Sequence, residues 1–164
     1  MSNIESKSAE NVFKDIYSIS LSENHNEIGH KKYIKLKQLT TNDKSNTFIL
    51  ADIRAYMNGR PTKCGVCLTP YEFDWLANKL LLNPMTEQTL SGKESTRILT
   101  IKPKPKNIGV VILQQVNDQL KRINLYKREM KKIVENYGSF YSIIEEMEEL
   151  EEENEANGVD ECDH

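Results

Sequence analysis

Between Lys32 and Leu39 the side chains alternate with a period of two, Ile34 and Leu36 pointing one way and Tyr33, Lys35, Lys37 and Leu39 the other. A pleated strand sends successive residues to opposite faces, so this stretch commits the chain to a sheet with one wet face and one buried face. A polar loop, Thr40 to Asn46 with Asn42-Asp43 inside it, leads to a second strand, Thr47 to Met57. That strand is apolar on both faces: Phe48, Leu50 and Tyr56 share one with Asp52 and Arg54, and Ile49, Ala51, Ile53, Ala55 and Met57 line the other. The turn Asn58-Gly59-Arg60-Pro61 then starts a third strand, Lys63 to Leu68.

Thr69-Pro70-Tyr71-Glu72 announces a helix, with a capping threonine, proline at the first helical position and glutamate closing a capping box. Phe73, Trp75, Leu76, Ala77, Leu80 and Leu81 follow, and Asn83-Pro84 ends the helix. Residues 84–95 read as a linker. Two more strands, Arg97 to Ile101 and Ile108 to Gln115, flank the run Lys102-Pro103-Lys104-Pro105-Lys106. Val116, Leu120, Ile123, Met130 and Tyr137 recur near heptad spacing and predict a long helix over 116–137, interrupted at Gly138. Residues 1–26 read as a flexible arm with one apolar patch (Val12, Phe13, Ile16, Tyr17, Ile19), and 141–164 as an acidic, solvated tail. The order strands, helix, strands, helix suggests a degenerate internal repeat of 27–83 in 96–140. The expected class is α+β: a curved antiparallel sheet packed by helices, with a long C-terminal helix.

Charge is divided along the chain. Residues 141–164 hold eleven acidic side chains and no Lys or Arg, whereas residues 31–140 hold 20 basic against 9 acidic. A basic body with an acidic end suits a polyanion-binding domain whose own tail competes for the same surface. No run approaches the roughly 18 apolar residues of a membrane helix. The polar start, Met1 to Glu10, is unlike a secretory signal, which implies a reducing compartment and three cysteines kept as thiols.

Four fragments in register resemble the single-stranded-DNA-binding domain of the positive cofactor four family of transcriptional coactivators. They are Ile28-Gly29-His30-Lys31-Lys32-Tyr33-Ile34-Lys35-Leu36-Lys37, Leu50-Ala51-Asp52-Ile53-Arg54-Ala55-Tyr56, Lys63-Cys64-Gly65-Val66-Cys67-Leu68-Thr69-Pro70, and Trp75-Leu76. The resemblance covers roughly residues 27–82. It implies a curved sheet backed by a helix, a homodimer, and DNA lying across the concave face. The related Whirly fold carries two sheet-plus-helix halves per chain. By position Lys32, Lys37, Arg54 and Lys63 match the family's basic residues. Leu39 and Met57 stand where some members place base-stacking aromatics, and Cys64 replaces a second basic residue.

The mechanism this implies is electrostatic. Lys31, Lys32, Lys35, Lys37, Arg54, Arg60 and Lys63 supply charge to phosphates, and Tyr33, Leu39, Tyr56 and Met57 offer surface to bases. Lys102, Lys104 and Lys106 form a second candidate surface. Single-stranded DNA is the expected ligand, with duplex DNA or RNA and proteins of the transcription machinery as further partners, in a nucleus or a viral replication compartment. No nucleophile–base pair, phosphate-cradling glycine loop or metal-ligand spacing stands out, so neither catalytic residues nor a cofactor are expected. Cys64-x-x-Cys67 sits in a predicted strand rather than at a helix start, against the redox pattern. The rival reading is a protein-interaction module that dimerises through the long helix.

Overall fold

A computed structural model describes residues 12–22, 30–41, 47–92 and 96–162, the last twelve of these as helical backbone alone. Residues 1–11 and 23–26 of the expected arm, Ile28 and Gly29 of the motif, and Asn42-Asp43 lie outside the described residues.

Strands β1 (Val12–Ser20), β2 (His30–Thr40), β3 (Thr47–Met57) and β4 (Arg60–Leu68) form an antiparallel meander in that order, and helix α1 (Pro70–Leu81) follows. The same arrangement then recurs. Strands β5 (Gln88–Ser91), β6 (Arg97–Pro103), β7 (Gly109–Val116) and β8 (Gln119–Tyr126) form a second four-stranded sheet, followed by helix α2 (Lys127–Cys162). The class is α+β, as the residue pattern predicts, with two sheets of four strands.

Four expectations are corrected. Residues 12–20 are the edge strand of the first sheet rather than part of a free arm; a bulge between Asp15 and Tyr17 breaks their period of two and hides the strand. The supposed linker contains β5. Residues 116–126 turn back on β7 instead of starting a helix: Asn117, at φ 54°, takes the left-handed conformation of a two-residue hairpin loop between Val116 and Gln119. Finally, α2 passes through Gly138 without a break, so residues 141–162 continue a helix whose Phe140 and Ile144 are buried.

Local chemistry fixes the first half as expected. Asn58 and Gly59, at φ 52° and 79°, make the tight turn from β3 to β4. The Thr69 hydroxyl accepts from the Glu72 amide at 3.2 Å, and Glu72 accepts from the Thr69 amide at 2.9 Å. The inner faces of both sheets and both helices share one core, in which Phe73 of α1 meets Phe140 and Tyr137 of α2 at 5.6 and 5.0 Å between ring centres. Tyr137 also donates its hydroxyl to Asp74 of α1 at 2.7 Å. Polar side chains seal the seam between halves. Gln114 of β7 accepts from the Cys67 amide at 3.0 Å and donates to its carbonyl at 2.6 Å, and Arg97 of β6 forks onto Glu72 at 2.6 and 3.0 Å. Among the described residues, no helix is long and apolar enough to cross a membrane.

Candidate nucleic-acid interface

With Ile34, Leu36, Ala51 and Ile53 facing the core, the alternation of β2 and β3 delivers the opposite set to the outer face of the first sheet. Lys31 pairs with Tyr56, Tyr33 with Arg54, Lys35 with Asp52, Lys37 with Leu50, and Leu39 with Phe48. Strand β1 extends the rows, Phe13 beside Leu39 and Asp15 beside Lys37.

The middle of this face is electrostatically organised. Asp52, only 3% exposed, takes two hydrogen bonds from Arg54, at 3.1 and 2.9 Å, and lies 4.0 Å from Lys37. A third Arg54 N–H donates to the Thr62 carbonyl at 2.8 Å. Burial pulls the Arg54 pKa down, but hydrogen bonding and attraction to Asp52 outweigh it and leave the group more firmly charged than usual. Arg54 therefore spends its fork on a buried carboxylate and holds the platform together. Lys35 stands over Tyr56 at 4.7 Å from the ring centre and over Tyr33 at 5.8 Å, the two rings meeting edge to face at 5.1 Å. Burial lowers the Lys35 pKa, yet Tyr56 and then Asp15, 3.4 Å away, more than compensate and hold it above the ordinary lysine value.

The two ends of the face differ. At one, Lys31 is exposed and shares a shallow recess with Tyr33, Tyr56, Asn58 and Gly59. At the other, Phe13, Leu39 and Phe48 stand in one cross-strand row, the phenylalanines 57% and 49% exposed. Leu39 thus has an aromatic on each side, supplied by neighbouring strands. Phe48 could be placed by alternation alone; Phe13 could not, because its strand reads as arm.

Other expected site residues fall elsewhere. Lys32 shares the parity of Ile34 and Leu36; it turns away from the outer face to pair with Glu129 of α2 at 2.9 Å. Met57 and Arg60 are cross-strand partners at the β3–β4 hairpin, exposed, with the opposite parity to Tyr56. Lys63 is exposed on edge strand β4, where the register slips between the Arg54 and Tyr56 pairings. On the second sheet Lys102 lies 3.6 Å from Glu87. Lys104 stands over the Tyr126 ring at 5.3 Å, and Lys106 is exposed in the 3-10 turn Pro105–Asn107.

Cys64 is exposed, whereas Cys67 is half-buried; burial and then Asp52 push its thiol pKa up, which disfavours the reactive thiolate. Among the described residues, no three His, Cys, Asp or Glu side chains gather as a metal site would require. No protein-family model and no curated protein matches the chain.

Proposed function

We propose that the outer face of the first sheet binds single-stranded DNA, and that the protein acts as a coactivator or accessory factor in transcription or replication. The observation that carries this reading is the ordered face itself. An apolar row, Phe13–Leu39–Phe48, lies at one end and Tyr33 at the other, with Lys35 and Lys37 between them; Tyr56, expected to meet bases as well, is buried beneath Lys35 and supports Tyr33 edge to face. Bases of a flexible strand stack on the ends while its phosphates follow the lysines; a duplex keeps its bases stacked on one another and gains only the second contribution. Each stacked base is worth about 1–3 kcal/mol, and each neutralised phosphate adds about −0.7 to the slope of log affinity against log salt. The homodimer, and a nuclear or viral replication setting, belong to the same proposal through the motif resemblance.

The heptad stripe behind the rival interaction-module reading is not a single helical face. Val116, Leu120 and Ile123 of its heptad stripe belong to strands, and Met130, Ile133, Phe140 and Ile144 are consumed by the chain's own core.

Fluorescence anisotropy with oligothymidine of about 20 nucleotides separates the two contributions. Phe13→Ala with Phe48→Ala is expected to weaken binding about tenfold or more and leave the salt slope unchanged. Lys35→Gln with Lys37→Gln is expected to weaken binding and flatten the slope by about 1.4. Absence of binding by the unaltered protein at low salt refutes the reading.

A further inference from the structure

Tyr126 ends β8, and its amide donates to Glu129 at 2.8 Å, which fixes the first turn of α2. Cations from three separate segments converge on its ring: Lys32 of β2 at 5.0 Å, Lys104 after β6 at 5.3 Å and Arg128 of α2 at 6.0 Å. Glu129 offsets Lys32, at 2.9 Å, whereas Lys104 has no carboxylate within ion-pair distance among the described residues. A cation over an exposed ring gains about 0.5–1 kcal/mol, small compensation for gathering like charges, whereas an anion entering the cluster is attracted by the cations against the opposing Glu129 carboxylate, which Lys32 neutralises. Tyr126 is 46% exposed, and the recess beside it is open to a ligand; its wall includes Ser22, Lys32, Ala55, Arg128 and the Glu129 carboxylate, and Lys104 reaches the ring from outside it.

Lys31 links this recess to the outer face. It lines both the Tyr126 recess and the neighbouring one formed with Tyr33, Tyr56, Asn58 and Gly59. A strand stacked on Tyr33 that continues past Lys31 brings its next phosphates to the seam between the two halves.

We infer that the Tyr126 seam is a phosphodiester site, formed by Lys31, Lys104 and Arg128, which takes the nucleic-acid strand as it leaves the first sheet. This rests on the single-strand reading above and extends it from one sheet to a path that joins both halves of the chain.

The test compares oligothymidines of about 6 and about 20 nucleotides, one able to occupy the sheet face alone and the other able to reach the seam. Lys104→Gln with Arg128→Gln is expected to weaken 20-mer binding about tenfold and flatten its salt slope by about 1.4, with 6-mer binding unchanged. Lys104→Arg with Arg128→Lys, which keeps both charges, is expected to retain 20-mer binding and to exclude a folding defect as the cause. If the neutralised protein binds both lengths as the unaltered protein does, the seam site is refuted and the sheet reading stands. If the unaltered protein binds neither length, the sheet reading itself fails. Displacement of the 20-mer's seam-dependent component by micromolar thymidine monophosphate would reassign the recess to free nucleotides and overturn the strand path.

Discussion

Gly65 lies where Arg54 crosses strand β4 on its way to Asp52. A Cβ there would sit 2.8 Å from the Arg54 Cζ and 2.8 Å from the Ile53 carbonyl oxygen, closer than side chains tolerate. Gly65→Ala should therefore displace the guanidinium and cost about 1–3 kcal/mol, the usual range for overpacking, read as a lower urea midpoint. An unchanged midpoint would show that Arg54 has another route. At this scale the sequence is only partly informative. Asp52 and Arg54, two apart on one strand, share a face by alternation; that Asp52 is buried and consumes the arginine's donors depends on how β4 closes over it. Lys32 shows the same limit: its parity with Ile34 and Leu36 is plain in the sequence, while its partner Glu129 lies 97 residues away.

Gln114 gives an element-scale counterpart. Its amide both donates to and accepts from the Cys67 backbone, so a β7 side chain satisfies part of an edge that β4 would otherwise expose. Gln114→Leu keeps the bulk and strands the Cys67 amide, and we expect about 1–3 kcal/mol of lost stability by chemical denaturation. Full stability in that variant would show that the Gln114 bonds to Cys67 contribute nothing to holding the two halves together. Strands β2, β3, β4 and helix α1 are legible because alternation, an Asn-Gly turn and a capping box agree. Strand β1 is hidden by its bulge. Strand β8 is hidden because Leu120 and Ile123 suit a helical period as well as a strand, and the Asn117-Asp118 loop that decides between them is a weaker turn signal than Asn-Gly. Strand β5, four residues long, offers too few positions for any period to register.

For the molecule as a whole, α2 sets the charge layout. Its 36 residues span about 54 Å, and the acidic run that begins at Glu145 includes Glu148, which lines an apolar recess with Leu39, Phe48 and Leu50. Residues 148–164 contain nine acidic side chains and no basic one, so truncation after Met147 changes the formal charge from −3 to +6 and leaves in place the buried α2 residues Met130, Ile133, Phe140 and Ile144. We expect several-fold tighter oligothymidine binding by the truncated protein at low ionic strength, converging with the full chain near 1 M salt, where the screening length is about 3 Å. Equal affinities at low salt would show that the acidic run does not act on the face. The shared core carries a separate consequence. Because Phe73 from one half and Phe140 from the other fill a single interior, neither half can be discarded. Each half therefore covers apolar side chains of the other, while outward positions of the second sheet, Thr100, Leu113 and Arg122 among them, stand clear of that interior.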